Sequence, residues 1–337
     1  MKDFFEKDNL KVGVVGSGSW ATALVKVLSE NCTKINWFVR TQETIDHVIK
    51  HNHNDMFLQS AYLHPDKLDM SADINEVVAA SDILVFVVPS AFFLGEMANL
   101  KVSLEGKFVI SAIKGFVSEE NLTIAEYFHR QHGIPYDRIG VIGGPTHAEE
   151  VSLERLSYLT LASKQIAVSR ALCKIFHNDY IKTIASADIY GVEYSAALKN
   201  VYAICAGICH SLGYGDNFIA VLITSAFNEL IEFLNSSHPD RDRFTTKSVY
   251  LGDLLVTSYS QFSRNRTFGG MIGKGYSVIS AQMEMNMVAE GYYAAKSIYE
   301  INKRYKVHMP IAEAVYKILY ENKYPAYIIA SLADSLQ

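Results

Sequence analysis

Residues 12–24 read VGVVGSGSWATAL, an apolar run that breaks into glycines and resumes with helix-forming residues. The stretch fits G-x-G-x-x-G/A at Gly16, Gly18 and Ala21, after a predicted strand and at the opening of a predicted helix. In that setting Gly16 makes the tight turn, Gly18 leaves room where a pyrophosphate must come close, and Ala21 lets helix and strand pack. N–H groups at the helix start then attract the phosphate charge. Taken alone, such glycines equally suit an ordinary strand-to-helix turn, so the rest of the chain has to decide.

Outward from this turn, the first half alternates short apolar runs with amphipathic segments. The runs are VGVVG (12–16), INWFV (35–39), ILVFVV (83–88), FVISAI (108–113) and IGVIG (139–143). They are rich in Val and Ile and have almost no polar alternation, as strands buried on both faces do. Parallel strands need crossovers, so the intervening segments are expected to be helices. YLTLAS (158–163) and IKTIAS (181–186), with RALCKIF between them, extend the sheet by strand, helix and strand. After Asp188, a candidate N-cap, the apolar spacing becomes helical. The expected fold class is α/β. An N-terminal Rossmann domain with a doubly wound, mostly parallel sheet covers residues 1–188, and a C-terminal all-helical substrate domain covers 189–337. NSSHPDRDRFTTK (235–247) is the most loop-like stretch of the second half. With this context the glycine turn reads as a dinucleotide site.

Composition narrows the partners. The 337 residues are 49% hydrophobic and 20% charged with a net charge of −5, which is ordinary for a soluble chain. The basic residues are dispersed, so the footprint that nucleic acid requires is missing. The longest apolar candidate, residues 200–215, is broken by glycines, His210 and Ser211, and reads as a buried core helix rather than a membrane span. The start, MKDFFEKDNLK, has no apolar core of a secretory signal. Cys32, Cys173, Cys205 and Cys209 follow no framework spacing and suit reduced thiols in a cytoplasm. Cys205, Cys209 and His210 read as core filling, HNHN (51–54) as a polar loop, and no metal is expected.

Cofactor choice is read at the end of the second strand, where FVRTQE places Arg40. An arginine there suits the 2′-phosphate of NADP, so NADP is favoured or both NAD and NADP are used; a solvated cation or an adenine stacker is the other reading. Lys199, in YSAALKNVYAICAGI, lies on a helix with little polar surface. Desolvation makes an ammonium readier to release a proton, which suits a general acid or base, although a lysine snorkelling from a core helix looks the same. Lys114 follows FVISAI at a strand's carboxyl end, and GGPTHAEE (143–150) ends the next strand with Thr146 as a hydroxyl donor. Open α/β sheets bind ligands at that rim. Ser263-Arg264-Asn265-Arg266 is a donor cluster whose arginine forks suit phosphate or carboxylate, unless it is only a charged surface loop.

With these residues in view, the chain resembles bacterial NAD(P)-dependent glycerol-3-phosphate dehydrogenases over nearly its whole length. The resemblance is carried by VGSGSWATAL (15–24), IKGF (113–116), GGPTHAEEV (143–151), GVEYSAALKNVYAICAGI (191–208), GYGDN (213–217), GDLLVTSYSQFSRNRTFG (252–269) and VAEGYYAAK (288–296). It implies interconversion of dihydroxyacetone phosphate and sn-glycerol 3-phosphate for glycerophospholipid synthesis, by a cytoplasmic homodimer. Lys199 matches the family's proton donor and acceptor, with Lys114 and Asp253 beside it. Lys114, Gly144, Thr146, Asp253, Ser263, Arg264 and Asn265 match substrate-contacting positions. Ser19, Trp20, Arg40, Lys114, Ala148, Arg264, Val288 and Glu290 match cofactor-contacting ones.

The chain also departs from that pattern. Ala21 replaces the usual third glycine, Ile219 and Ser225 stand where arginines are usual, and SVYLGDL (248–254) lacks a glycine-rich lead. These changes bear on the pocket wall more than on the chemistry. Two other readings stay open: a related hydroxyacid or ketoacid reductase, and a dinucleotide-binding sensor without catalysis.

Overall fold

The computed structural model describes residues 2–5, 10–285 and 287–336. Residues 6–9 of the charged N-terminal stretch lie outside them. The chain divides into two compact units: residues 1–113 with 124–189, and residues 114–123 with 190–337.

The first unit is built on an eight-stranded sheet: β1 (Val12–Val15), β2 (Ile35–Phe38), β3 (Leu68–Ser71), β4 (Ile83–Phe86), β5 (Phe108–Ser111), β6 (Ile139–Gly143), β7 (Ser157–Ala162) and β8 (Ile181–Ser186). Their order is β3-β2-β1-β4-β5-β6-β7-β8. All neighbours run parallel except β6 and β7. The strand order reverses at β1, which pairs through Val12 with Ile35 on one side and Ile83 on the other. A crevice at the carboxyl ends beside such a reversal is where open sheets take ligands. Every residue of β1, β4, β5 and β6 is buried, which explains their unbroken apolar runs.

The sequence reading misses β3. LDMS buries only its leucine, and a four-residue edge strand with polar residues carries no apolar run to detect. The runs also overshoot β1, β2, β4 and β5, because residues beyond the strand ends, such as Val88 and Ile113, are buried beside the sheet although they lie outside the strands.

The second unit is helical. Its central helix, Ile189–Ser211, is buried without interruption from residue 191 to 209, Glu193, Lys199 and Asn200 included. Helices Asp216–Ser237, Asp253–Tyr259, Arg264–Gly273, Val278–Glu284, Glu290–Tyr305, Pro310–Tyr320 and Pro325–Ser335 complete it. Residues 114–123, which fall within the sequence-expected first domain, group with this unit. Phe116 packs on Tyr194 with centroids 5.4 Å apart, Ser297 Oγ donates to Ser118 Oγ at 3.4 Å, and Asn200 Nδ2 donates to the Lys114 carbonyl at 3.1 Å.

Among the described residues, Asp216–Ser237 is the one helix long and apolar enough to cross a membrane by length and composition. It carries Glu229 in its middle, 4% exposed, accepting backbone N–H bonds from Ile311 at 2.8 Å and Ala312 at 3.1 Å. A carboxyl so held suits a core helix of a folded unit better than a lipid-facing span.

Candidate active site

The glycine turn of the first unit is shaped for an anion. Gly16 has φ +133°, and a Cβ there would stand 2.7 Å from the Val87 carbonyl oxygen. Only glycine meets both conditions. Gly18 is the N-cap of the helix Ser19–Asn31 and supplies no capping side chain. A Cβ built on it meets no described atom within 4 Å, so the turn keeps an open approach at the positive end of a helix. Ala21 is fully buried. These features fit the pyrophosphate of a dinucleotide.

Two braces of this turn escape the sequence reading. Trp37 Nε1 donates to the Gly16 carbonyl at 2.8 Å from β2. Asn54 is fully buried and its Nδ2 donates to the Ser17 carbonyl and to Thr22 Oγ1, both at 3.0 Å. The only sequence signal was a polar residue in a histidine-rich loop, and its partners lie more than thirty residues away.

Arg40 follows β2 and is exposed. It reaches Glu96 Oε1 at 3.5 Å and lies over the Phe92 ring at 5.9 Å. Its charge is therefore shared with a carboxylate that a 2′-phosphate would have to outcompete. On the β6 rim, Gly144 has φ +123° and its Cβ position is 2.6 Å from the Tyr158 carbonyl oxygen. Thr146 is buried and donates to the Gly144 carbonyl at 3.2 Å. Ala148 begins the short helix Ala148–Ser152. Ser19 is buried, while Trp20 is half-buried against the core of this unit.

The second unit gathers the acid–base candidates. Lys199 Nζ donates to Asp253 Oδ1, with side chains 5% and 2% exposed. Asp253 opens the helix Asp253–Tyr259 directly after a π-helical turn, Ser248–Gly252. Such turns occur often at functional sites. The second Asp253 oxygen has no hydrogen-bond partner among the described residues, so one side of the carboxylate holds the lysine and the other remains available. Beside this pair runs a chain of amides. Asn265 Nδ2 donates to Asn200 Oδ1 at 2.9 Å, and the Gly291 N–H donates to Asn265 Oδ1 at 2.8 Å. Asn200 in turn holds the Lys114 carbonyl. Asn200, next to Lys199, was not singled out from sequence because a buried asparagine on an apolar helix has no pattern of its own.

Ser263 is the N-cap of the helix Arg264–Gly273, its side chain accepting from the Arg266 N–H at 3.3 Å. Arg264, half-buried, is the first residue of that helix. A guanidinium at a helix N-terminus suits a phosphate twice over. Val288 is half-buried just before the helix Glu290–Tyr305, and Glu290 is its first residue. Cys205 and Cys209 are fully buried. A hydrogen bond between them, together with burial, pushes the Cys205 thiol well above its ordinary range, so it stays an inert core group. Ile219, one of the departures, lines a small cleft with His210, Asp216, Ser258 and Arg266.

A Rossmann sheet with a pyrophosphate turn at its switch point, joined to a helical unit with a buried lysine–carboxylate pair, defines an oxidoreductase that uses a nicotinamide dinucleotide. Family models described as the N-terminus and the C-terminus of NAD-dependent glycerol-3-phosphate dehydrogenase match residues 11–169 and 188–330. The chain is 35% identical over 327 residues to the glycerol-3-phosphate dehydrogenase (NAD(P)+) of Syntrophotalea carbinolica, covering 96% of this chain and 97% of that one. It is 34% identical over 316 residues to the enzyme of the same name from Staphylococcus saprophyticus, covering 93% and 94%. The solved glycerol-3-phosphate dehydrogenase of Coxiella burnetii superposes with a TM-score of 0.86 at 25% identity, covering 96% of this chain and 98% of that one. The chain belongs to the NAD-dependent glycerol-3-phosphate dehydrogenase family and is an NAD(P)-dependent oxidoreductase.

Proposed function

We propose that the chain interconverts dihydroxyacetone phosphate and sn-glycerol 3-phosphate, with Lys199 as the acid and base at the C2 oxygen. The observation that carries this reading is the buried Lys199–Asp253 pair. A reduced nicotinamide dinucleotide held at the glycine turn would supply the hydride for C2 of the ketone. Gly16, Gly18, Ser19 and Trp20 would hold its pyrophosphate end, and Arg40 its adenosine ribose. Ala148, Val288 and Glu290 would complete its contacts.

In the reducing direction the Lys199 ammonium gives its proton to the alkoxide that develops at C2; in the oxidising direction the neutral amine takes it back. Asp253 fixes the lysine through one oxygen and accepts a substrate hydroxyl through the other. Lys114 adds positive charge near the reacting oxygen, where preorganised charge lowers the barrier most. Arg264, Ser263 and Asn265 bind the phosphate, with Gly144 and Thr146 as further substrate contacts, so that remote binding energy becomes orientation at C2. The enzyme works as a cytoplasmic homodimer, and its product is a glycerophospholipid backbone. Tyr324 and Tyr327, about three-quarters exposed at the C-terminal helix, are the residues we assign to the subunit contact.

The test is loss of reduced-nicotinamide absorbance with dihydroxyacetone phosphate, run with NADH and with NADPH. Lys199→Ala should lower kcat by about 10²- to 10⁴-fold while cofactor affinity holds. Undiminished turnover in that variant, or faster turnover of a ketoacid than of the ketone phosphate, would overturn the reading.

A further inference from the structure

The residue that commonly tells NAD from NADP is a carboxylate at the end of the second strand, where it accepts from the ribose 2′-hydroxyl and repels a 2′-phosphate. Here that place holds Arg40, just beyond β2. A carboxylate is nonetheless present, and it comes from another element. Glu96 belongs to the helix Ser90–Asn99, which follows β4, and its Oε1 lies 3.5 Å from Arg40 Nη2. β2 and β4 flank β1 on its two sides. The ion pair therefore joins elements on both sides of the strand that leads into the glycine turn. The Val87 carbonyl stands against Gly16, which puts the start of that helix beside the turn.

The two partners are not equivalent. The Glu96 side chain is 14% exposed and that of Arg40 60%. The carboxylate is the seated partner and the guanidinium the movable one, lying over the ring of Phe92 from the same helix at 5.9 Å. Among the described residues, Glu96 is the one carboxylate within ion-pair reach of Arg40. At 3.5 Å the contact is longer than the roughly 2.7–2.9 Å of a tight charge-assisted hydrogen bond, and a pair this exposed on one side is weak. A phosphate monoester, with close to two negative charges and oxygens that match the guanidinium fork, can draw the arginine away. A hydroxyl cannot.

We propose that Glu96 sets the balance between NAD and NADP by competing for Arg40. With a 2′-hydroxyl at the ribose, Arg40 stays on Glu96, and the carboxylate accepts from the hydroxyl in place of the acidic residue missing from the end of β2. With a 2′-phosphate, Arg40 leaves Glu96 for the phosphate. Preference then follows from the difference between two partners of one arginine, and because the resident pair is weak, both cofactors are admitted. The inference rests on the reading that Arg40 lies at the adenosine ribose.

The experiment reads binding rather than turnover. NADH and NADPH, which differ only by the 2′-phosphate, are titrated by fluorescence into the full chain without substrate, at low salt where exposed charges are least screened. Glu96→Gln should tighten NADPH by about tenfold, the effect of removing one charge a few ångströms from a doubly charged phosphate in water-like surroundings. The same variant should weaken NADH by about twofold or more, through the lost carboxylate acceptor. These changes run in opposite directions, whereas a merely structural role would weaken both. Arg40→Gln should weaken NADPH by about tenfold or more with a far smaller effect on NADH. In the Arg40→Gln background, Glu96→Gln should lose most of its gain for NADPH, because groups in contact couple. Equal thermal melting shows that the variants fold. Unmoved NADPH affinity in Arg40→Gln would overturn the placement of Arg40 at the ribose. A normal loss in Arg40→Gln without opposed shifts in Glu96→Gln, or a full gain for NADPH in the double variant, would overturn the role of Glu96 alone.

Discussion

Lys199 and Asp253, the pair proposed to act as acid and base, show what a buried ion pair costs the protein that carries it. Both are buried, and removing one partner leaves an uncompensated charge, a loss of about 3–5 kcal/mol in comparable cases. Lys199→Met and Asp253→Ala should each fall in that range by urea unfolding, while the double variant Lys199→Met/Asp253→Leu should regain most of the stability and none of the turnover. Retained stability in either single variant would mean that the pair is not held as described. Ser263 poses a different question, because its side chain caps a helix and is also assigned to substrate. Ser263→Ala should cost about 1 kcal/mol and Ser263→Gly only a few tenths. Both should raise KM for dihydroxyacetone phosphate severalfold with kcat less affected. A KM that tracked stability across the two would leave the cap as the whole role. At this scale, residues with a local pattern were legible in the sequence: the glycines, Lys199 and the SRNR cluster. Trp37, Asn54 and Asn200 were not, since each works through partners 21 to 86 positions away.

The helices that carry Lys199 and Asn265 approach each other through glycine. A Cβ on Gly269 would stand 2.1 Å from the Ile204 carbonyl oxygen, and one on Gly207 2.1 Å from that of Arg266. Backbone therefore lies on backbone where Arg264–Gly273 crosses Ile189–Ser211, and this closeness lets Asn265 reach Asn200. Gly269→Ala must push the helices apart. Overpacking of this kind costs about 1–3 kcal/mol, and it should lower kcat/KM by shifting Arg264 and Asn265. Wild-type kinetics in that variant would show that the crossing tolerates a methyl group and does not set the site. The strands of the sheet were legible because burial on both faces leaves long apolar runs. The crossing was not, because the glycines of FGG in SRNRTFGG resemble those of any loop until the facing backbone is known.

Across the molecule, the change from strand runs to helical spacing near residue 188 was plain in the sequence. The membership of residues 114–123 in the second unit was not, because packing of Phe116 and Ser118 decides it rather than composition. The same holds for Glu229, an acid lost from view in an apolar helix. Burial raises its carboxyl to about 8, against the opposing pull of the Ile311 and Ala312 N–H groups. In the unfolded chain the same group titrates near 4.5. The folded state thus holds the proton more tightly, and the stability this group contributes is fully present below pH 4.5 and lost as pH rises through 8. Where one proton separates the states, the slope is roughly 1.4 kcal/mol per pH unit. Unfolding free energy of the wild type should therefore fall relative to Glu229→Gln between pH 5 and 8, and the difference should level off above 8. A difference that stays flat between pH 5 and 8 and changes only below about pH 4.5 would mean that the two backbone donors outweigh burial, so that Glu229 is ionised in the folded protein and acts as an anionic cap on the helix Pro310–Tyr320.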